Sequence, residues 1–191
     1  MLLDKLAEYH RRRESLPFAY KEVPVPWIVH LTAEGRLVPP VQRTSGDTRS
    51  GRNPGKSIPA PALLIQPTSG AKANLLVHRA DYVLGFPGWD PGLKAIADTQ
   101  RNHALFRALL RECYQATEEP VIQAVLTFLE GPENSPDAYP PDLEPRDLVG
   151  FMVDGVAPQE LPSVQRFWGD YQAEATTGQS DAHCLVCGPP R

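Results

Sequence analysis

Residues 98–130 read DTQRNHALFRALLRECYQATEEPVIQAVLTFLE, and this stretch decides the fold class. Leu105, Phe106, Leu109, Leu110 and Cys113 return every three or four residues, which predicts a helix over about 98–114 with one apolar face. Glu118, Glu119 and Pro120 open a second helix. Carboxylates suit the positive end of the helix dipole, and proline's missing N–H costs nothing in a first turn. Val121, Ile122, Val125, Leu126 and Leu129 form its buried stripe. Residues 131–145 are acidic and proline-rich and read as a linker. Leu148 to Val153 read as a strand ending at an Asp154-Gly155 turn. Residues 161–175 read as a third helix, with Val164, Phe167, Trp168 and Tyr171 on one side.

Upstream the period changes. Val25, Trp27, Val29 and Leu31 alternate, Ala33-Glu34-Gly35 reads as a turn, and residues 36–41 return. This is a hairpin whose first strand Pro24 and Pro26 push toward an edge. Residues 61–66, PALLIQ, read as a short buried strand, and LLVHRADYVLGF re-enters the core before the turn region Gly85–Gly92. Leu2, Leu3, Leu6 and Tyr9 predict an amphipathic helix over 2–13. Strands come early and helices late, so the class is α+β: a small antiparallel sheet with an N-terminal helix and several later packing helices. Residues 1–130 are expected to form the body, with two polar loops. Residues 131–191 are expected to pack on it and to continue into an absent C-terminal region.

The 191 residues can bury roughly two-thirds of their unfolded surface without staples or metal. A hydrophobic content of 41% with 22% charged residues excludes a disordered or fibrous chain. Twenty-one prolines and 14 glycines, nearly a fifth of the chain, imply short elements with long, stiff connections. No run approaches a membrane span, the start MLLDKLAEYHRRRES is not a signal peptide, and three cysteines cannot all pair. A reducing, cytoplasmic setting without a membrane follows as the expectation. Residues 1–112 carry a net +6 and residues 113–191 a net −10. Such a split suits a polyanionic partner on the basic part, or mutual neutralisation within one fold.

No nucleophile elbow, phosphate-binding loop, zinc-protease helix or dinucleotide fingerprint is present, so no catalytic residue is assigned and the chain reads as a non-enzyme. His10, His30, His78 and His103 fall in separate elements and read as structural. Cys184 and Cys187 make a CxxC turn, the one metal-like feature, but two thiolates lack the four ligands of a structural zinc. Cys113 belongs to a helix core. Zinc is therefore not favoured, and no cofactor is expected.

The polar loops carry more. Residues 42–60, QRTSGDTRSGRNPGKSIPA, hold Arg43, Arg49, Arg52 and Lys56 against one acid, which suits phosphate contact without sequence preference. In the second loop Gln66, Thr68, Ser69, Lys72 and Asn74 can donate and accept at base edges. From residue types alone, nucleic-acid binding and a structural or protein-interaction adaptor stand side by side.

The block LLIQPTSGAKANLLVHRADYVLG, with Thr68-Ser69-Gly70, Asn74-Leu75-Leu76 and Tyr82-Val83-Leu84-Gly85, resembles the N-terminal region of the large subunit of the type I-C CRISPR surveillance complex (Cascade). The opening MLLDKLAEYHRR agrees, and HALFRALL, VIQAVLTFLE, LVGFMVDG, VQRFWGDY and HCLVCG follow in the family's order. Departures occur at Pro67, where a basic residue is usual, at Val77-His78-Arg79, where Trp-Asp-Asn is common, and at Cys187, more often Thr. The resemblance implies a non-catalytic antiviral subunit of an RNA-guided complex. Guide RNA would read target double-stranded DNA, while this subunit recognises the short protospacer-adjacent motif and helps open the duplex. It implies neighbours too: a backbone subunit, a guide-handle-binding subunit and a recruited helicase-nuclease that cleaves.

Overall fold

A computed structural model describes residues 16–45, 54–64 and 71–177. The helix expected over 2–13 lies outside these residues, as do Arg49, Arg52, Gln66, Thr68, Ser69, Cys184 and Cys187.

The chain enters through β1 (Tyr20–Val25), bends at Pro26 and continues as β2 (Trp27–Leu31). The expected hairpin forms, but its first strand is not at an edge: β2 has a partner on each side, because Pro24 and Pro26 fall before it and leave its own N–H groups free to pair. The Gly35 N–H reaches the Thr32 carbonyl at 2.9 Å, and the return crosses Leu37 before pairing as β3 (Gln42–Arg43) against Trp27 and Ile28. Residues 42–60 were expected to be one long loop. They contain β3 and most of β4 (Lys56–Pro61), which pairs antiparallel with all of β1. The strand expected over 61–66 therefore lies earlier. Its prolines explain why no periodicity marks it. Pro24, Pro59 and Pro61 all fall in the same phase of the ladder, opposite Ser57, Glu22 and Tyr20. The alternate pairs are thus free to carry the hydrogen bonds, the arrangement proline requires.

β5 (His78–Arg79) leads directly into a one-turn helix, α1 (Ala80–Val83). The long helix α2 (Leu93–Thr117) starts earlier and ends later than its apolar stripe. Glu118, expected to open the next helix, instead stops this one. It sits at φ +52° with its N–H on the Tyr114 carbonyl at 2.8 Å. Glu119 is then the N-cap of α3 (Pro120–Glu130), with Pro120 at its first position. Tyr139 and Leu143 of the acidic segment are buried, so that segment is pinned to the body.

β6 (Leu148–Val153) enters between β2 and β5, giving the order β3-β2-β6-β5. β6 runs parallel to β2, so this sheet is mixed, and β1–β4 form a separate antiparallel ribbon. A strand that returns after three intervening helices can pair parallel, unlike a hairpin neighbour. α4 (Pro162–Thr177) closes the fold. Its buried Trp168 donates Nε1–H to the Ala19 and Ala62 carbonyls, at 3.0 and 3.3 Å, both just beyond one end of the ribbon. The α+β class stands, with one main core of Phe106, Leu110, Ile122, Phe128, Phe151 and Trp168.

Candidate nucleic-acid interface

Both polar loops are rooted on β4, at opposite ends. Six residues of strand separate the roots by roughly 17 Å. The first root is built by Thr44. Its N–H reaches the Pro26 carbonyl at 2.9 Å, its hydroxyl donates to the Val25 carbonyl, and its Oγ1 accepts the Lys56 N–H at 2.8 Å. Gly55 completes the closure at φ +91°. A Cβ there would stand 2.2 Å from the Val25 carbonyl carbon, so only glycine fits. Arg43 and Lys56, both exposed, therefore stand side by side where loop 45–55 leaves the sheet.

Arg43 is not a bare cation. Its guanidinium lies 5.1 Å from the Trp27 ring centroid and pairs with Asp142 of the acidic segment. Trp27 donates Nε1–H to Asp147 at 2.9 Å. Glu130 accepts from Arg111 at 2.5 Å and from Arg107 at 3.2 Å. The basic and acidic parts of the sequence thus do share faces, and part of the charge split is neutralised internally.

At the second root, Asn74 donates Nδ2–H to the Pro61 carbonyl at 2.6 Å and to the Val77 carbonyl at 3.2 Å. The chain turns tightly here. The Val77 N–H meets the Leu75 carbonyl at 2.6 Å, which forces Leu76 to φ +59°, a strained value for a branched residue. Leu64, at the loop's other end, donates its N–H to Oε1 of the buried Gln172 on α4 at 3.1 Å. Asn74, which sequence reading offered as a base reader, thus has both amide protons engaged in holding the loop. Lys72 stands exposed beside it.

His78 adjoins this root. Its Nδ1 accepts the Arg79 N–H at 2.8 Å, and its ring stacks on Tyr82 with centroids 4.0 Å apart. Burial pushes its pKa down to about 4, against a smaller opposing pull from the Lys72 carbonyl. Arg79 grips the buried Asp81 through two bonds of 2.9 and 2.6 Å, and Asn102 adds a third at 3.0 Å.

Sequence reading missed Thr44, Gly55 and His78. Thr44 and His78 carry no local signal, whereas Pro54-Gly55 is a dipeptide typical of turns but gives no indication of what it closes against. Cys113 is fully buried, as expected, and burial pushes its thiol up to about 12. Among the described residues no group of three or more His, Cys, Asp or Glu side chains is arranged to hold a metal, and no helix is long and apolar enough to cross a membrane.

Over residues 3–190 the chain matches the family model described as CRISPR-associated protein (Cas_Csd1). Comparison with curated proteins returns no match. A match along nearly the whole chain settles the family, and with it assembly into a Cascade-like complex. The chain belongs to the Cas_Csd1 family, as the non-catalytic large subunit of a type I-C Cascade surveillance complex.

Proposed function

We propose that the chain reads the protospacer-adjacent motif of target double-stranded DNA and assists its opening. The observation that carries this reading is the pair of loop roots on one strand. One presents Arg43 and Lys56, and the other presents Lys72 on a loop whose base is hydrogen-bonded and strained into a single shape. Their separation of roughly 17 Å is about half a turn of duplex, so both loops can meet one stretch of DNA.

Arg43, Arg49, Arg52 and Lys56 supply phosphate attraction. Lys72, with Gln66, Thr68 and Ser69, meets the base edges, approaching from the minor groove. Asn74 acts by rooting that loop. In the minor groove A·T and T·A look alike, so discrimination is partial. The body of residues 1–130 faces the nucleic acid, while residues 131–191 complete the fold. The remaining partners are the guide RNA complex, its backbone and guide-handle-binding subunits and the recruited helicase-nuclease, in the cytoplasm.

The test is a panel of target duplexes differing only in the adjacent motif, bound by the assembled complex at one stated salt concentration. Asn74→Ala, by loosening the root that positions the loop, should lower the preference for the cognate motif and leave assembly with guide RNA intact. Lys72→Ala should combine a smaller loss of preference with a general loss of affinity, since an ammonium serves base and phosphate alike. If both variants bind every duplex as wild type does, this loop is not the reader. DNA affinity unchanged after alteration of both loops would favour a purely structural adaptor.

A further inference from the structure

Beside the second root, a cavity of about 220 Å³ opens between the β1–β4 ribbon and β5. Val23, Pro61 and Leu148 give it apolar walls, and Lys21 and Arg79 bring two cations to its lining. Among the described residues no Asp or Glu lines it. Lys21 is exposed, with no ion pair among the described residues. Arg79 is held differently. Its Nε and Nη2 donate to Asp81 Oδ1 and Oδ2 at 2.9 and 2.6 Å, and its guanidinium carbon lies 5.3 Å from the Tyr82 ring centroid. Both supports are themselves fixed. Asp81 is buried and accepts from Asn102 at 3.0 Å, while Tyr82 is buried and stacks on His78. A guanidinium carries five N–H donors, and the clamp uses two. The three that remain, both on Nη1 and one on Nη2, have no partner among the described residues, and the side chain is 41% exposed.

We infer that this notch holds one backbone phosphate of the target duplex, with Arg79 as the positioning residue and Lys21 as the second cation. The free edge of the guanidinium offers two parallel N–H groups, which match two oxygens of one phosphate. Asp81 and Tyr82 hold that edge in place beforehand, so little side-chain freedom is lost on binding. The exposed Lys72 attracts phosphate in many geometries, whereas a clamped fork accepts one. It therefore sets the register of the protein on the duplex without reading a base. The apolar walls suit the adjoining deoxyribose, which a free inorganic anion lacks. The Lys72 carbonyl lies against the ring of His78, the residue before Arg79, so the phosphate held here is one beside the motif. This inference rests on the proposed contact with DNA and deepens it, naming the group that fixes where the second loop sits.

The test uses the assembled complex and cognate duplexes in which single phosphates beside the motif are replaced, one at a time, by neutral methylphosphonates. In wild type we expect one position at which the replacement lowers affinity roughly tenfold. In Arg79→Gln that position should become insensitive, because the fork that met its charge is gone, while the other positions respond as before. Lys21→Gln leaves the Arg79–Asp81 pair intact. It should shrink the loss at the same position and at no other, and flatten the salt slope by up to about 0.9. A profile in folded Arg79→Gln identical to that of wild type overturns the inference. Where that variant does not fold, an identical profile in Lys21→Gln overturns it. So does an Arg79→Gln defect that follows one guanine of the motif rather than one phosphate, which makes Arg79 a base reader. So does a defect in assembly with the guide complex, which gives the notch to a carboxylate of a neighbouring subunit. A sensitive phosphate lost with Arg79, in a complex whose wild type does not discriminate motifs, refutes the motif reading and supports the notch.

Discussion

The substitution Asn74→Ala tests the structural side of the second root, and its size can be worked out beforehand. Alanine removes two hydrogen bonds, at 2.6 Å to the Pro61 carbonyl and 3.2 Å to the Val77 carbonyl. Each contributes about 1 kcal/mol net. Against that, alanine also removes Oδ1, a buried acceptor with no partner, and so recovers part of a desolvation cost of similar size. The balance is a loss of about 1–2 kcal/mol. In a chain of this length each kcal/mol moves the melting temperature by ~2–4 °C, so the midpoint should drop by roughly 2–8 °C. The assay is thermal unfolding of wild type, Asn74→Ala and Lys72→Ala in one buffer. Lys72 is exposed, and its truncation should leave the midpoint within about 1 °C. An unchanged midpoint for Asn74→Ala would refute the assignment of its amide to the loop root. A Lys72→Ala midpoint that falls as far would refute the contrast between a rooted and a presented residue.

The half-buried His78 predicts an acid-sensitive fold. Its folded pKa of about 4 lies below the ordinary 6.5, so the unfolded chain takes up the proton first. Stability present above pH 6.5 should therefore fall as the pH drops toward 4, on the order of 1.4 kcal/mol per pH unit. Denaturant midpoints across that range should be flatter in His78→Phe, and identical slopes would refute the burial. Replacing Arg43, Arg49, Arg52 and Lys56 with alanine should weaken cognate and noncognate duplexes alike and flatten the salt slope by up to about 0.9 per lost phosphate contact. Asp142→Asn, which releases Arg43, should instead raise affinity by a few-fold for any sequence. Gly55→Ala, with its Cβ forced against Val25, should cost a few kcal/mol in chemical unfolding; a neutral outcome would mean that the first loop is not closed there. Metal analysis of purified protein should find well below one zinc per chain. Stoichiometric zinc lost on Cys184→Ser with Cys187→Ser would make that turn a metal clip.

Elements whose signal is local and continuous are legible in the amino-acid order alone. The stripes of α2, α3 and α4 and the run Leu148–Val153 are written in consecutive residues, because a helix or buried strand repeats its own period. The block from Leu63 to Gly85 carries the family resemblance in consecutive residues. Tertiary structure alone decided where β4 lies, because a strand whose prolines occupy alternate positions shows no apolar alternation and is identified only by its partner β1. It decided that β6 runs parallel to β2, since direction is set by the path of the chain between them and not by the residues of either strand. It also decided the tasks of Thr44 and Asn74. A hydroxyl or amide in a polar loop reads as available to a ligand, but its hydrogen bonds go to whichever carbonyl folding brings within bonding distance, and here those carbonyls belong to Val25, Pro61 and Val77. Lys72 kept its place facing solvent, because an ammonium stays in water unless a partner justifies burial.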